Sequence, residues 1–176
     1  MRTCGTPRCL TVALVALLLG AAGCDRHDAV QPPTLHLGED VCAHCGMIVS
    51  DVRFAAACVV DQAGVGYAGV VFDDVGCLLD YDEQVTEQRI VQRYVMDYQI
   101  HTWLKAEDAI FVSSRRIHAP MASGVIACGM RADADALAQQ YGAEQLDYPQ
   151  VAAMRAAGVF AAPPGGSAAG HLDQPR

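Results

Sequence analysis

The sequence predicts a small single domain of the α+β class, with elements in the order ββα and then βββα, behind an N-terminal targeting segment. Two patterns predict this class. Runs rich in β-branched and aromatic residues, bounded by turn residues, recur through the middle of the chain, and the stretches between them have helical spacing. The length of 176 residues is enough for one ordinary domain with its own core.

The first 23 residues predict a secretory signal. Arg2 and Arg8 precede an apolar run over 10–19, and small residues follow it. The run is shorter than the roughly 20 apolar residues that a membrane-spanning helix needs. Cys24 directly follows an Ala-Gly pair that resembles a bacterial lipobox, so we expect Cys24 to carry the lipid that anchors the mature chain. The alternative is an ordinary cleaved signal followed by an unmodified cysteine.

The mature chain divides by composition into three parts. Residues 24–34 form the lipid anchor and a tether that contains two prolines, 35–160 form the folded domain, and 161–176 are a disordered tail rich in proline, glycine and alanine. Loss of the two signal arginines takes the formal charge from -8 to -10. This acidity argues against a nucleic-acid partner.

The folded part begins with a hairpin and a helix. Residues 53–60 and 65–72 have strand composition and flank a turn at 61–64. The Asp73-Asp74 pair then predicts the cap of a helix over 74–83.

The second half adds three strands and two helices. Strands are predicted over 90–98, 109–113 and 124–128, with Trp103 and Lys105 in a turn-like segment between the first two. Helices are predicted over 133–141, ended by Gly142, and over 148–157.

The cysteines carry the chemical information. Cys4 and Cys9 leave with the signal and Cys24 takes lipid, which leaves an odd number of thiols outside the cytoplasm: Cys42, Cys45, Cys58, Cys77 and Cys128. Only Cys42 and Cys45 have the C-x-x-C spacing that binds one ion or forms one disulfide. With His44 and the thioether of Met47 beside them, they suit a soft ion such as Cu(I).

Other interpretations of this motif stay open on the residues alone. A closed structural zinc site takes four nitrogen or sulfur ligands, and the chain has no second C-x-x-C. The second alternative is a thiol oxidoreductase that uses Cys42 and Cys45. In such enzymes the C-x-x-C motif normally lies at the start of a helix that follows a strand, whereas this motif precedes the first strand. The simplest alternative is that Cys42 and Cys45 form a disulfide and that Met47 packs in the core. Cys77 is favoured as a buried small residue rather than a ligand, and Asp73-Asp74 as a cap rather than oxygen ligands.

The order of several blocks resembles the nitrous-oxide-reductase accessory lipoprotein family (NosL). The similarity covers most of residues 24–146 and rests on the lipid cysteine, Cys42-Ala43-His44-Cys45-Gly46-Met47, Val71-Phe72-Asp73-Asp74-Val75-Gly76-Cys77-Leu78, Val95-Met96-Asp97-Tyr98 with Trp103, Ala109-Ile110-Phe111-Val112, Ala119-Pro120-Met121, and Asp135-Ala136-Leu137 through Tyr141-Gly142.

This resemblance implies a fold and a function. The fold would be related in shape to organomercurial lyase without that enzyme's chemistry, and the protein would be a lipid-anchored Cu(I) chaperone on the periplasmic or extracytoplasmic side, not an enzyme. Its implied partners are an ABC-type transporter complex with a periplasmic partner, and nitrous-oxide reductase as the client. The expected metal ligands are Cys45, Met47, Cys42, Met121 and His118, with His44 as a further candidate imidazole.

Overall fold

The computed structural model describes residues 30–63, 65–85 and 89–159. In these residues it has a mixed α+β fold, which confirms the predicted class. The strands are β1 Ala56–Gln62, β2 Gly66–Phe72, β3 Arg89–Met96, β4 Trp103–Lys105, β5 Ile110–Ser113, β6 Val125–Cys128 and β7 Glu144–Leu146. The helices are α1 Val75–Gln84, α2 Arg131–Tyr141 and α3 Tyr148–Ala156.

The first sheet has the strand order β2-β1-β3-β4 and is antiparallel throughout. The predicted hairpin of β1 and β2 is confirmed, with Ala56 opposite Phe72 and Gln62 opposite Gly66. The prediction that its first strand begins at residue 53 is wrong. Residues Val52–Phe54 form a 3-10 turn capped by the Asp51 carboxylate, which accepts a hydrogen bond from the Arg53 amide, and extended pairing starts after that turn.

The second sheet has the order β6-β5-β7 and is also antiparallel. A parallel bridge joins Asp97, just after β3, to Ala127 in β6, where the Tyr98 amide donates to the Ala127 carbonyl at 2.9 Å. The two sheets therefore meet at this point. Helix α1 and helix α3 contribute to the largest buried cluster, which contains Phe72, Leu78, Phe111 and Val151 among others.

The three predicted helices are present with small shifts at their ends. Asp74 caps α1, as the sequence predicts, by accepting the Cys77 amide at 3.0 Å. Helix α2 begins two residues before the predicted start and has Gly142 as its C-cap. Helix α3 begins with a capping box between Asp147 and Gln150.

Two short strands were not predicted. Trp103–Lys105 is strand β4, paired with β3 through Met96 opposite Trp103, and not the turn-like segment expected there. Glu144–Leu146 is strand β7, paired with β5. Each has three residues, which is too short for an alternating pattern to show in the sequence, and each is specified by the strand beside it.

The predicted signal, Cys24 and the predicted tail lie outside the described residues. The last residues of the predicted tether contact the first sheet: the Tyr94 hydroxyl donates to the Val30 carbonyl, and Pro33 lies against Gly69. Within the described ranges, the helices are too short and too polar to cross a membrane.

Candidate metal centre

Three thiols from two distant parts of the chain converge at one place. The sulfur atoms of Cys42, Cys45 and Cys77 lie within 4.8 Å of one another. Cys42 and Cys77 are 1% and 2% exposed, whereas Cys45 is half-buried. The five cysteines of the described ranges are free thiols. We call the three converging residues the thiol cluster.

The loop from Cys42 to Met47 is closed by its own backbone. The Cys42 amide donates to the Met47 carbonyl at 2.8 Å, and the Gly46 amide donates to the Cys42 carbonyl at 2.9 Å. Gly46 has a φ of +76°, which a side chain would disfavour, and this left-handed residue returns the chain toward Cys42. The glycine of the C-x-x-C-G-M motif thus places both loop thiols on one side.

The sequence around Asp73 fixes this loop to the rest of the domain. The Ala43 amide donates to the Val71 carbonyl of β2 at 3.0 Å. The Ser50 amide donates to the Asp73 carboxylate at 3.0 Å. Asp73 is buried, and this burial raises its pKa. The loop is therefore hydrogen-bonded to the C-terminal end of β2, which is followed in the sequence by the helix that carries the third thiol.

Cys77 reaches the cluster because α1 starts there. It lies in the first turn of α1, and its amide donates to the capping carboxylate of Asp74. Gly76 allows a close approach on the other side of the turn, because a Cβ at this position would lie 2.7 Å from the Cβ of Ser123. The start of α1 is thus packed tightly against the segment that contains Ser123, and Cys77 lies in this turn with its sulfur near that of Cys42.

The three thiols of the cluster differ in pKa because they share hydrogen bonds. A hydrogen bond from the Cys77 thiol is the main cause that lowers the pKa of Cys42 to about 4, against the opposing effect of burial. The backbone amides of Cys45, Asp73 and His44 also lower it. The same hydrogen bond raises the pKa of Cys77, and burial raises the pKa of Cys45. Cys42 is therefore the thiol of the cluster that loses its proton most readily.

The opening of the cluster lies on the Cys45 side. Met47, two residues after Cys45, is 58% exposed. Its neighbours Val41 and Ile48 are also exposed and form an isolated antiparallel bridge with each other. Cys42 and Cys77 thus form the floor, and Cys45 and the apolar residues around it form the surface that an incoming group meets first.

The other expected ligands have different positions. Met121 is 39% exposed, and its amide donates to Asp74, so its backbone lies beside the start of α1. His118 is exposed, in the loop that also carries Met121. In the described ranges, neither His118 nor His44 belongs to the group of metal-ligating atoms that the three thiols form.

His44 has a partner away from the thiols. Its Nε2 lies 3.5 Å from the Asp80 carboxylate of α1. Asp80 also accepts two hydrogen bonds from the Arg155 guanidinium of α3, at 2.7 and 2.5 Å. These bonds lower the pKa of Asp80. The imidazole thus links the thiol loop to two helices.

The sequence favoured Cys77 as a buried small residue rather than a metal ligand. Its burial agrees with the expectation of a small core residue, but its sulfur also faces the C-x-x-C pair. The sequence signal was its place one turn into a capped helix, within a block shared with the NosL family. Cys58 and Cys128 are buried elsewhere, and burial raises the pKa of each to about 12.

Comparison with known proteins shows the family of the chain. A sequence model of the NosL family matches residues 34–169, which is most of the chain. The chain belongs to the NosL family. It is 24% identical over 152 residues to the copper-binding lipoprotein NosL of Stutzerimonas stutzeri, a match that covers 80% of this chain and 78% of that protein.

A NosL fold is also known from a crystal. The copper chaperone NosL from Shewanella denitrificans superposes with a TM-score of 0.56 at 17% sequence identity, and the match covers 69% of this chain and 96% of that one. This similarity confirms the fold that the family resemblance implied. The thiol cluster of this NosL chain is identified from the positions of its own sulfur atoms and not from these relatives.

Proposed function

We propose that this NosL protein is a Cu(I) carrier, anchored by lipid on Cys24 at the extracytoplasmic face of the membrane, that passes copper on by ligand exchange. The observation that carries the proposal is the convergence of three thiols within 4.8 Å, and a hydrogen bond from Cys77 that lowers the pKa of Cys42 to about 4 supports it. The names of the relatives, a copper-binding lipoprotein and a copper chaperone, support the choice of metal.

The donor set favours Cu(I) over zinc. Three sulfurs form the cluster, and Met47 supplies an exposed thioether two residues from Cys45. Thiolate and thioether are the ligands that Cu(I) prefers. A structural zinc site needs a fourth nitrogen or sulfur ligand, and within the described ranges the cluster of histidines, cysteines and acids stops at three. We therefore assign Cys42, Cys45 and Cys77 as principal ligands, with Met47 and Met121 as thioethers at the opening.

Copper transfer then follows from the depth of each ligand. Cys42 and Cys77 hold the ion at the floor while Cys45 and Met47 face solvent. A thiolate, thioether or imidazole of the receiving protein adds from the open side, and the Cys45 sulfur leaves first and takes up a proton. Further ligands of the receiving protein then replace Cys77, which also takes up a proton, and Cys42. No electron is transferred, because copper stays Cu(I) throughout. Loading releases the protons that Cys45 and Cys77 carry in the free protein.

The charge distribution disfavours a thiol oxidoreductase. Attack on a disulfide requires an accessible thiol with a lowered pKa. Here the thiol with the lowered pKa, Cys42, is 1% exposed, and the more accessible thiol, Cys45, has a raised pKa. We therefore propose a carrier without catalytic turnover. An ABC-type transporter complex with its periplasmic partner as neighbours, and nitrous-oxide reductase as client, remain proposals from the family.

A competition titration tests the copper site. The reduced mature domain is titrated with Cu(I) against a chromophoric Cu(I) chelator, together with Cys77→Ser, Cys45→Ser and, as control, Cys58→Ser. Cys58 is fully buried but lies outside the cluster. We expect one Cu(I) per chain and an affinity at least about tenfold lower for the first two variants, with the control unchanged. Equal affinity for Cys77→Ser and Cys58→Ser would refute the assignment.

A further inference from the structure

The buried carboxylate of Asp74 connects the thiol cluster to the loop that contains Met121. This loop lies more than forty residues after Cys77 in the sequence. Asp74 is fully buried, and each of its oxygens has a separate task. Oδ1 accepts the Cys77 amide at 3.0 Å, inside α1. Oδ2 accepts the amides of Met121 at 3.1 Å and of Ser123 at 3.4 Å. A helix cap needs only the first of these bonds, so the second oxygen serves something else.

The loop is bent to make these bonds. Ala122, between the two amides that bind Oδ2, has a φ of +56°. This left-handed conformation is unfavourable for a residue with a side chain. It turns the amides of Met121 and Ser123 toward the same oxygen, as successive amides do around an anion. Such strain persists only where the surroundings enforce it, and here the carboxylate does so.

The hydrogen bonds to Asp74 also fix the position of the Met121 backbone, from which its side chain extends. The Met121 amide and the Cys77 amide bind the two oxygens of one carboxyl group, so these backbones are neighbours. The close contact of Ser123 with Gly76 holds the loop against the same helical turn. Met121 itself is 39% exposed, so neighbouring residues leave its flexible side chain free to change rotamer.

We propose that Asp74 is a positioning residue of the copper site, which holds the Met121 thioether at the opening of the thiol cluster by binding the loop and the start of α1 at once. This inference rests on the proposed Cu(I) function. It assigns Asp74 a role in affinity that its place as a helix cap does not require.

A double-mutant cycle in the full mature domain tests the proposal. Asp74→Ser keeps a good helix cap but has no second oxygen for the loop. Cu(I) affinity is measured by chelator competition for the unmodified protein, Asp74→Ser, Met121→Ala and the double variant. We expect each single variant to bind at least about tenfold more weakly. The double variant should match Met121→Ala within about twofold, because the carboxylate acts through that thioether.

Asp97→Ser is the matched control for lost fold stability. Asp97 is also buried and also accepts three backbone amides, from Gln99, Ile100 and Gly129, but it lies at the junction of the two sheets. It should lower the melting temperature as Asp74→Ser does and leave Cu(I) affinity unchanged. If Asp74→Ser does not fold, Asp74→Asn, which keeps the shape and one acceptor oxygen, takes its place in the cycle.

The outcomes separate the two proposals. Unchanged affinity in Asp74→Ser, or losses that add fully in the double variant, would overturn the role of Asp74. Unchanged affinity in Met121→Ala would overturn it as well, while leaving the thiol site intact. Failure of the unmodified domain to bind Cu(I) would instead overturn the proposed function.

Discussion

At the residue scale, Gly46 sets the shape of the thiol loop. Its φ of +76° costs a residue with a side chain roughly 1–2 kcal/mol, and no atom lies within 4 Å of where a Cβ would be. We predict that Gly46→Ala lowers the free energy of unfolding by about this amount without a steric clash, and that it also lowers Cu(I) affinity. Denaturant unfolding and chelator competition measure the two effects.

Gly38 provides the control for that substitution. It has a φ of +82° and equally open surroundings, and it lies before the thiol loop rather than in it. Gly38→Ala should cost similar stability and leave Cu(I) affinity unchanged. If the two variants lose copper affinity equally, the shape of the loop is not what holds the thiols in place.

Thiol reactivity gives a second prediction for single residues. Cys58 and Cys128 are buried and have pKa values raised to about 12, so they carry almost no thiolate at neutral pH. We expect a maleimide to leave both unmodified in the native protein and to react first at Cys45, the half-buried thiol. Peptide mass spectrometry after brief labelling measures this. Early modification of Cys58 would contradict the buried environment.

At the scale of elements, the sequence predicted the parts that have a period or a cap. The β1–β2 hairpin follows from strand composition on both sides of a turn, and α1 from its capping aspartate. Strands β4 and β7 could not be predicted, because three residues show no pattern and each strand depends on its neighbour in the sheet. For the same reason, only part of the thiol cluster could be predicted. Cys42 and Cys45 are close in sequence and form a recognisable motif, whereas Cys77 joins them only through tertiary packing.

The contact between α1 and α3 makes a further prediction at this scale. Arg155 forms two hydrogen bonds to Asp80, and these lower the pKa of that carboxyl. A carboxyl whose pKa is lower in the folded state stabilises the protein above its ordinary value and loses that contribution as pH falls. We predict that Arg155→Met costs about 1–3 kcal/mol at pH 7.

The loss of unfolding free energy caused by Arg155→Met should become smaller as the pH is lowered. Urea unfolding of both proteins from about pH 7 to about pH 3 measures the difference, which should decrease as Asp80 takes up a proton in each. Cu(I) affinity provides a second readout, since Asp80 also holds His44 of the thiol loop. A stability difference that stays constant over this range would contradict the ion pair.

At the scale of the whole molecule, two antiparallel sheets meet beside Asp97, and the thiol cluster lies where the N-terminal loop, the end of β2 and the start of α1 come together. The α+β class that the sequence predicted is confirmed, and the C-x-x-C pair of the loop lies in the thiol cluster. The lipid on Cys24 and the copper client remain predictions, since Cys24 lies outside the described residues. Exposed apolar residues, Val41, Met47 and Ile48, lie in and beside the loop that carries the proposed copper site.

Copper X-ray absorption on the loaded, reduced domain measures directly whether the three thiols bind copper. We predict an edge of Cu(I) and a first shell made of sulfur, with one sulfur fewer in Cys77→Ser and no change in Cys58→Ser. A first shell dominated by nitrogen or oxygen, or a spectrum that Cys77→Ser leaves unaltered, would show that the three converging thiols are not where copper binds.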